Sequence, residues 1–245
     1  MNDEKFSGIY VGRSVDNACY YWNYCRNDYS DIDEQHNEQE TIVAVKKAYS
    51  ALGQANQRMI AKNGNLSFSS LGANEEEFVN NLGKKFFKNM NVQKTCGKNA
   101  SDCFADDEYK LIDGSYWYDW VDDTTYYKVR LADGTSLALG NSELNQSFGT
   151  SDALNDVSAL IFLDVNGDKK PNTSGKDVFM FWLTSNHGVF LMGTPEETYR
   201  PLSRCRVNGL SCAAWVISRG NMDYIRKDIS WQGASTVAIH CLLIY

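Results

Sequence analysis

Residues Ser158–Leu183, SALIFLDVNGDKKPNTSGKDVFMFWL, decide the fold. Ala159–Leu163 and Val178–Leu183 are short apolar runs with the length and the β-branched and aromatic content of strands. Between them Asp164, Asn166, Asp168, Asn172, Thr173, Ser174 and Asp177 put an oxygen-bearing side chain at nearly every other position. Carboxylates two residues apart on a tight Asn-Gly turn can converge on one point. A hard cation such as calcium needs that convergence, because it collects roughly six to eight oxygens. The opening D-x-N-G-D matches the first half of an EF-hand loop, but Lys169 stands where that loop needs Gly and no Glu follows at its twelfth position. An EF-hand is therefore excluded and a looser calcium loop is not. The competing reading is a hairpin turn at Asn166-Gly167 whose acids only keep the loop solvated.

Outward from this stretch, the pattern changes on each side. On the C-terminal half, YKLIDGSYWYDW, TTYYKVRLADGTSLALG, DVFMFWLTSNHGVFLMG and the region ending CAAWVI read as further strands. Asp113-Gly114, Asp133-Gly134 and His187-Gly188 each sit between apolar runs, the signal of consecutive antiparallel hairpins. Upstream, Ile42, Val45, Tyr49, Leu52, Ala55 and Met59 recur at three or four, the stripe of an amphipathic helix over Glu38–Ala61 that Gly64 stops. A second helix follows, with Asn74 as N-cap, Glu75–Glu77 in its first turn and Phe78, Leu82, Phe86 and Met90 on one face. The expected class is α+β, a long N-terminal amphipathic helix packed on an antiparallel meander. The expected boundaries are a poorly defined extension 1–37, a globular domain 38–226 and a C-terminal extension 227–245.

The chain has 245 residues and a net charge of −7. That acidity argues against nucleic acid as a partner, since nucleic acid rewards clustered Lys and Arg. Seven cysteines fall into local pairs, Cys19 with Cys25, Cys96 with Cys103 and Cys205 with Cys212, leaving Cys241 over. Neither C-x-x-C spacing nor supporting histidines point to zinc. Disulfides are the expected use, and they imply an oxidising compartment, extracellular or periplasmic. The start MNDEKFSGIYVGRS lacks the apolar stretch of a signal peptide, so the expectation is that the mature or natural N-terminus differs from Met1.

Enzymatic constellations are absent from the sequence. His36, His187 and His240 are not placed to serve a nucleophile, and no G-x-S-x-G, Walker loop or G-x-G-x-x-G occurs. The adjacent acids Asp106-Asp107 and Asp122-Asp123 read as solvated surface rather than a glycosidase pair.

KKAYSALGQANQ on a helix, then VRLADGTSLAL, FLDVNGDKKPNTSGKDVFMFWL, and C-x6-C-AAWVISRGNMDY stand in this order along the chain. Together they resemble the globular part of type IV pilin and type II secretion pseudopilin (prepilin-type) proteins, from about Glu38 to Tyr224. The resemblance implies a pilin-like fold and a structural subunit rather than an enzyme. It implies partners that are copies of itself or related pilin subunits, meeting through Glu38–Ala61, where Glu38, Glu40, Lys46 and Lys47 offer charge complementarity. It also implies a structural calcium held by Asp164, Asn166 and Asp168, with Asp177 closing the site, and a Cys205–Cys212 disulfide that pins the last strand to the preceding turn. In that family the helix continues upstream into an apolar membrane anchor of about twenty residues. Here Tyr29–Asn37 is polar, so a membrane is reached only through an anchor that this stretch does not contain. The alternative is a calcium-assisted carbohydrate-binding or adhesin module, because Tyr116, Trp117, Tyr118, Trp120, Tyr126 and Tyr127 cluster around Asp119, Asp122 and Asp123. Against it, rings that alternate on a strand simply face core and solvent in turn.

Overall fold

A computed structural model describes residues 15–64, 71–99, 102–118, 120–142 and 147–231, with side chains of the first helix from residue 35 on. The fold is α+β. Strands β1 (Val92–Gly97), β2 (Tyr126–Leu131), β3 (Ser136–Asn141), β4 (Val157–Asp164), β5 (Val178–Thr184) and β6 (Val189–Leu191) form one six-stranded sheet. Each strand is antiparallel to the next, in chain order. Two of the returns are the expected Asp133-Gly134 and His187-Gly188 turns, with the glycines at φ +89° and +83°. The return from β4 to β5 is longer and carries the oxygen-rich loop.

Every residue of β4 and β5 is buried, which requires a sheet covered on both faces. The period-two alternation of a strand sorts their side chains. Ala159, Ile161 and Leu163 pair with Leu183, Phe181 and Phe179 on one face, and Leu160 and Phe162 pair with Trp182 and Met180 on the other. Helix α1 (Val15–Asn63) covers the first face with Ile42, Val45, Leu52, Ala55 and Met59. There the Tyr49 ring stacks on Phe181, with centroids 5.9 Å apart. Helix α2 (Glu75–Phe87) adds Phe78, Leu82 and Phe86. Asn74 caps α2 by accepting from the Glu77 N–H at 2.9 Å, and Glu77 reaches back to the Ala73 N–H at 2.9 Å. A Cβ on Gly83 would stand 2.4 Å from Cγ of Tyr127, so the missing side chain is what lets α2 approach β2.

The second face is covered by irregular chain. Phe104, Tyr109, Trp117 and Trp120 lie in one cluster with Phe162, and the Trp120 ring stacks on Phe162 at 4.4 Å. The Cys96–Cys103 disulfide, S–S 2.10 Å, ties this segment to β1. Cys205–Cys212, S–S 2.03 Å, joins helix α3 (Ser203–Asn208) to the start of α4 (Ala213–Arg219). Each such short loop contributes on the order of 2 to 3 kcal/mol in the loop-closure picture. The side chains of Cys19 and Cys25, and all of Cys241, lie outside the described residues. The chain divides into units 1–39 and 40–245.

The expected pilin-like arrangement is corrected by these elements. Helix α1 does not begin at Glu38 but runs Val15–Asn63, and of its described side chains none at 35–41 is buried. Among the described side chains the amphipathic stripe runs Ile42–Met59, because Gln35–Thr41 are all polar. CAAWVI is not a strand. Cys212 leads into α4, whose Ala213, Ala214, Val216 and Ile217 are all buried, and a buried apolar run of this length fits helix and strand equally until its packing is known. YKLIDGSYWYDW forms only isolated bridges, Lys110 with Tyr116 and with Thr173, since its rings are spent on covering the sheet. Strand β1 was not foreseen, because it is an edge strand of mostly exposed polar residues without alternation.

Replacing Ile161 by Ala should cost about 3 kcal/mol in chemical denaturation, while Val43→Ala should cost less than about 0.5 kcal/mol. In mass spectrometry, Cys96, Cys103, Cys205 and Cys212 should escape alkylation until a reductant is added.

Candidate functional site

Asp164 ends β4 and is fully buried. Its Oδ1 accepts the N–H groups of Asn166 and Gly167 at 3.1 and 2.9 Å, and its Oδ2 accepts the Tyr109 hydroxyl at 2.6 Å. Gly167 sits at φ +68°, where a Cβ would meet the Gly134 carbonyl oxygen at 2.4 Å, so the turn demands glycine. Asp177, just before β5, is buried beside it. Its Oδ2 accepts from the Asn172 N–H at 2.8 Å and the Asn166 amide at 3.1 Å, and its Oδ1 accepts from the Thr173 N–H at 2.6 Å. The structure thus brings Asp164, Asn166 and Asp177 together around one loop.

Asp168 is not among them. Beyond the Gly167 turn it faces solvent, and its carboxylate pairs with Arg130 of β2 at 2.6 Å. Of the four expected ligands, Asp164, Asn166 and Asp177 share the loop with Asn172, and Asp168 lies apart. The side-chain oxygens of Asn166 and Asn172 are buried without a hydrogen-bond partner. Orphaned oxygens beside buried carboxylates suit a hard cation in chemical kind. The carboxylates themselves, however, are already satisfied by N–H and O–H donors. Among the described residues no group of three His, Cys, Asp or Glu side chains is arranged to hold a metal.

Burial, and then the charge of Asp177, push the Asp164 carboxyl up to about 8, against the pull of its hydrogen bonds from Tyr109, Asn166 and Gly167. Burial also raises Asp177, against the hydrogen bonds from Thr173, Asn172 and Asn166. A hydrogen bond from Arg130 lowers Asp168.

The aromatic cluster is divided by the structure. Trp117 and Trp120 are buried in the covering layer and Tyr127 faces the helices, so Trp117 is no exposed sugar platform. Tyr116 and Tyr118 stay 60% and 50% exposed. A cavity of about 560 Å³ opens among Asp102, Asp107, Asp122, Tyr116 and Trp120. Two of its acids are engaged, Asp102 with Lys94 and Asp107 with Lys170. A second cavity, of about 340 Å³, lies against the sheet between Tyr118, Tyr126, Asn141, Trp182, Tyr199 and Arg200. Tyr199 and Arg200 come from the chain between β6 and α3. A lone Arg between Tyr and Pro has no spacing that marks it in sequence. Neither His36 nor His187 lines either cavity.

A carboxyl raised by folding is protonated more readily in the folded chain than in the unfolded one. Its stabilisation is complete below about pH 4, the unfolded value, and is lost as pH rises through about 8. In chelator, the melting temperature should therefore fall between pH 5 and 8, and Asp164→Asn should flatten that slope. Calcium, which favours the ionised pair, should raise the melting temperature most at pH 8; equal melts in calcium and chelator would leave the N–H donors alone holding the loop. Compared with known proteins, the chain matches no family model, no curated protein and no solved structure.

Proposed function

We propose that this chain is a structural, non-catalytic subunit of a type IV pilus or type II secretion pseudopilus-like assembly, working outside the cytoplasm, its Asp164–Asp177 loop steadied by calcium. The observation that carries the reading is the outward face of α1. Val43 is 64% exposed, while the other large apolar side chains described on α1 are buried or half-buried. About two, three and four turns on, Ser50, Gly53 and Gln57 continue that face with small or polar groups, and a Cβ on Gly53 would touch nothing within 4 Å. Such a face lets a second helix approach closely. Lys47 is not available for charge pairing between subunits, because it binds Asp133 at 2.7 Å within the chain, whereas Lys46 remains exposed. The two disulfides support an oxidising environment. No helix among the described residues is long and apolar enough to cross a membrane. The four ordered segments that resemble prepilin-type proteins support the same reading.

The test is incorporation. In cells that express the complete gene, the chain should appear in the sheared surface-fibre fraction, and Val43→Glu should remove it while leaving the melting temperature unchanged. A wild-type chain that stays monomeric at all concentrations and never enters a fibre fraction would overturn the proposal. A second reading, recognition of a sugar, is favoured by the smaller of the two cavities rather than by the Trp117 cluster.

A further inference from the structure

The cavity of about 340 Å³ lies on the sheet face opposite α1 and α2, at the lower end of the roughly 300 to 1,000 Å³ that ligand pockets span. Phe148 and Trp182, with ring centroids 4.6 Å apart, belong to its apolar lining. Two half-exposed rings, Tyr118 at 50% and Tyr199 at 43%, also line it. The Tyr118 and Tyr126 hydroxyls meet at 2.8 Å beside it. Arg200 sits over the Tyr199 ring, its guanidinium carbon 5.5 Å from the centroid.

What distinguishes this cavity is unspent polarity. Arg200 has no ion pair among the described residues, and its Nε is buried without an acceptor. The Asn141 side-chain oxygen, on the same cavity wall, is buried without a donor. Two other arginines, Arg130 and Arg206, are paired with Asp168 and Asp228. Glu197, three residues earlier, feels the Arg200 charge and takes a backbone N–H from it, but forms no ion pair with its guanidinium. It accepts from the Trp182 indole N–H at 3.0 Å and the Gly193 N–H at 2.7 Å, and burial raises its pKa to about 7. An orphaned donor and an orphaned acceptor in one cavity each represent a hydrogen bond that a ligand can make.

We propose that this cavity binds a carboxylate-bearing pyranose, such as a uronic or sialic acid unit of a glycan, with the carboxylate on Arg200, a hydroxyl donating to Asn141 Oδ1, and a C–H face against Tyr118 or Tyr199. A planar guanidinium fork matches a carboxylate. No lysine lines the cavity, so a multiply charged phosphate ligand is a poorer match. A flat, partly apolar ring carrying hydroxyls fits tyrosine walls better than a purely aliphatic acid does. This site is separate from the α1 face, and its ligand does not depend on assembly.

The test uses the full chain as a monomer, titrated by calorimetry with galacturonate and glucuronate oligosaccharides and with sialyllactose. Lactose and cellobiose serve as neutral controls, and acetate and a short peptide as plain carboxylates. The expected result is saturable binding of at least one acidic sugar series, roughly tenfold or more weaker for the neutral sugars. Arg200→Gln should weaken that binding by about tenfold or more with the melting temperature kept, Arg200→Lys should retain part of it, and Tyr199→Ala should weaken it further. The proposal falls if no acidic sugar binds, if Arg200→Gln binds as well as wild type, or if acetate and the peptide compete as strongly as the sugars. None of these outcomes bears on incorporation into fibres, so the two proposals fail separately.

Discussion

Strands β4 and β5 are apolar at nearly every position and hydrogen-bonded on both edges, and this double burial governs the rest of the molecule. A strand pair of that kind has no face that tolerates water, so two covers must be supplied. The helices provide one, since α1 and α2 each carry a single apolar stripe that the sheet completes. The other has no regular element available and is assembled from Phe104, Tyr109, Trp117 and Trp120 packed about Phe162. Rings suit this duty because a few of them bury a large area with little conformational entropy lost. Irregular chain used in this way must be tethered, and the Cys96–Cys103 bond tethers it to β1.

The same hairpin creates the polar cluster at its end. Once β4 and β5 are buried, the acids that flank their connection, Asp164 and Asp177, are drawn inward with them. A buried carboxylate is tolerated only when its lone pairs are answered. Five N–H groups, from Asn166, Gly167, Asn172, Thr173 and the Asn166 side chain, together with the Tyr109 hydroxyl, do this. Tyr109 belongs to the irregular cover, so the loop and the aromatic layer support each other across the sheet edge. The acids therefore act first as organisers of the loop, and any cation would add to an arrangement that already has internal partners.

Much of this was legible in the residues themselves. The two apolar runs, the Asp-Gly and His-Gly returns, the Ile42–Met59 stripe and the Asn74 cap each rest on local spacing, and local spacing is what the backbone obeys first. The two described disulfides were legible for the same reason, because partners seven residues apart leave few other choices. Other features were not. CAAWVI carries no period that separates helix from strand, and the left-handed Gly209 just before it, at φ +77°, is a turn signal that serves either. Asp168 shares the loop's chemistry with Asp164, and only the opposite directions taken at Gly167, together with the position of Arg130, send one outward and the other in.

By itself, then, the sequence determined the antiparallel meander, the helical stripe that packs on it and the gathering of oxygens in the β4–β5 connection, because each depends on neighbours in the chain. Tertiary structure decided which acids are buried, that an aromatic layer covers the far face, and that Tyr118, Asn141 and Arg200 share one cavity. These residues are distant in sequence, and no periodicity encodes their meeting. Only the closing of two covers over a common sheet brings them within reach.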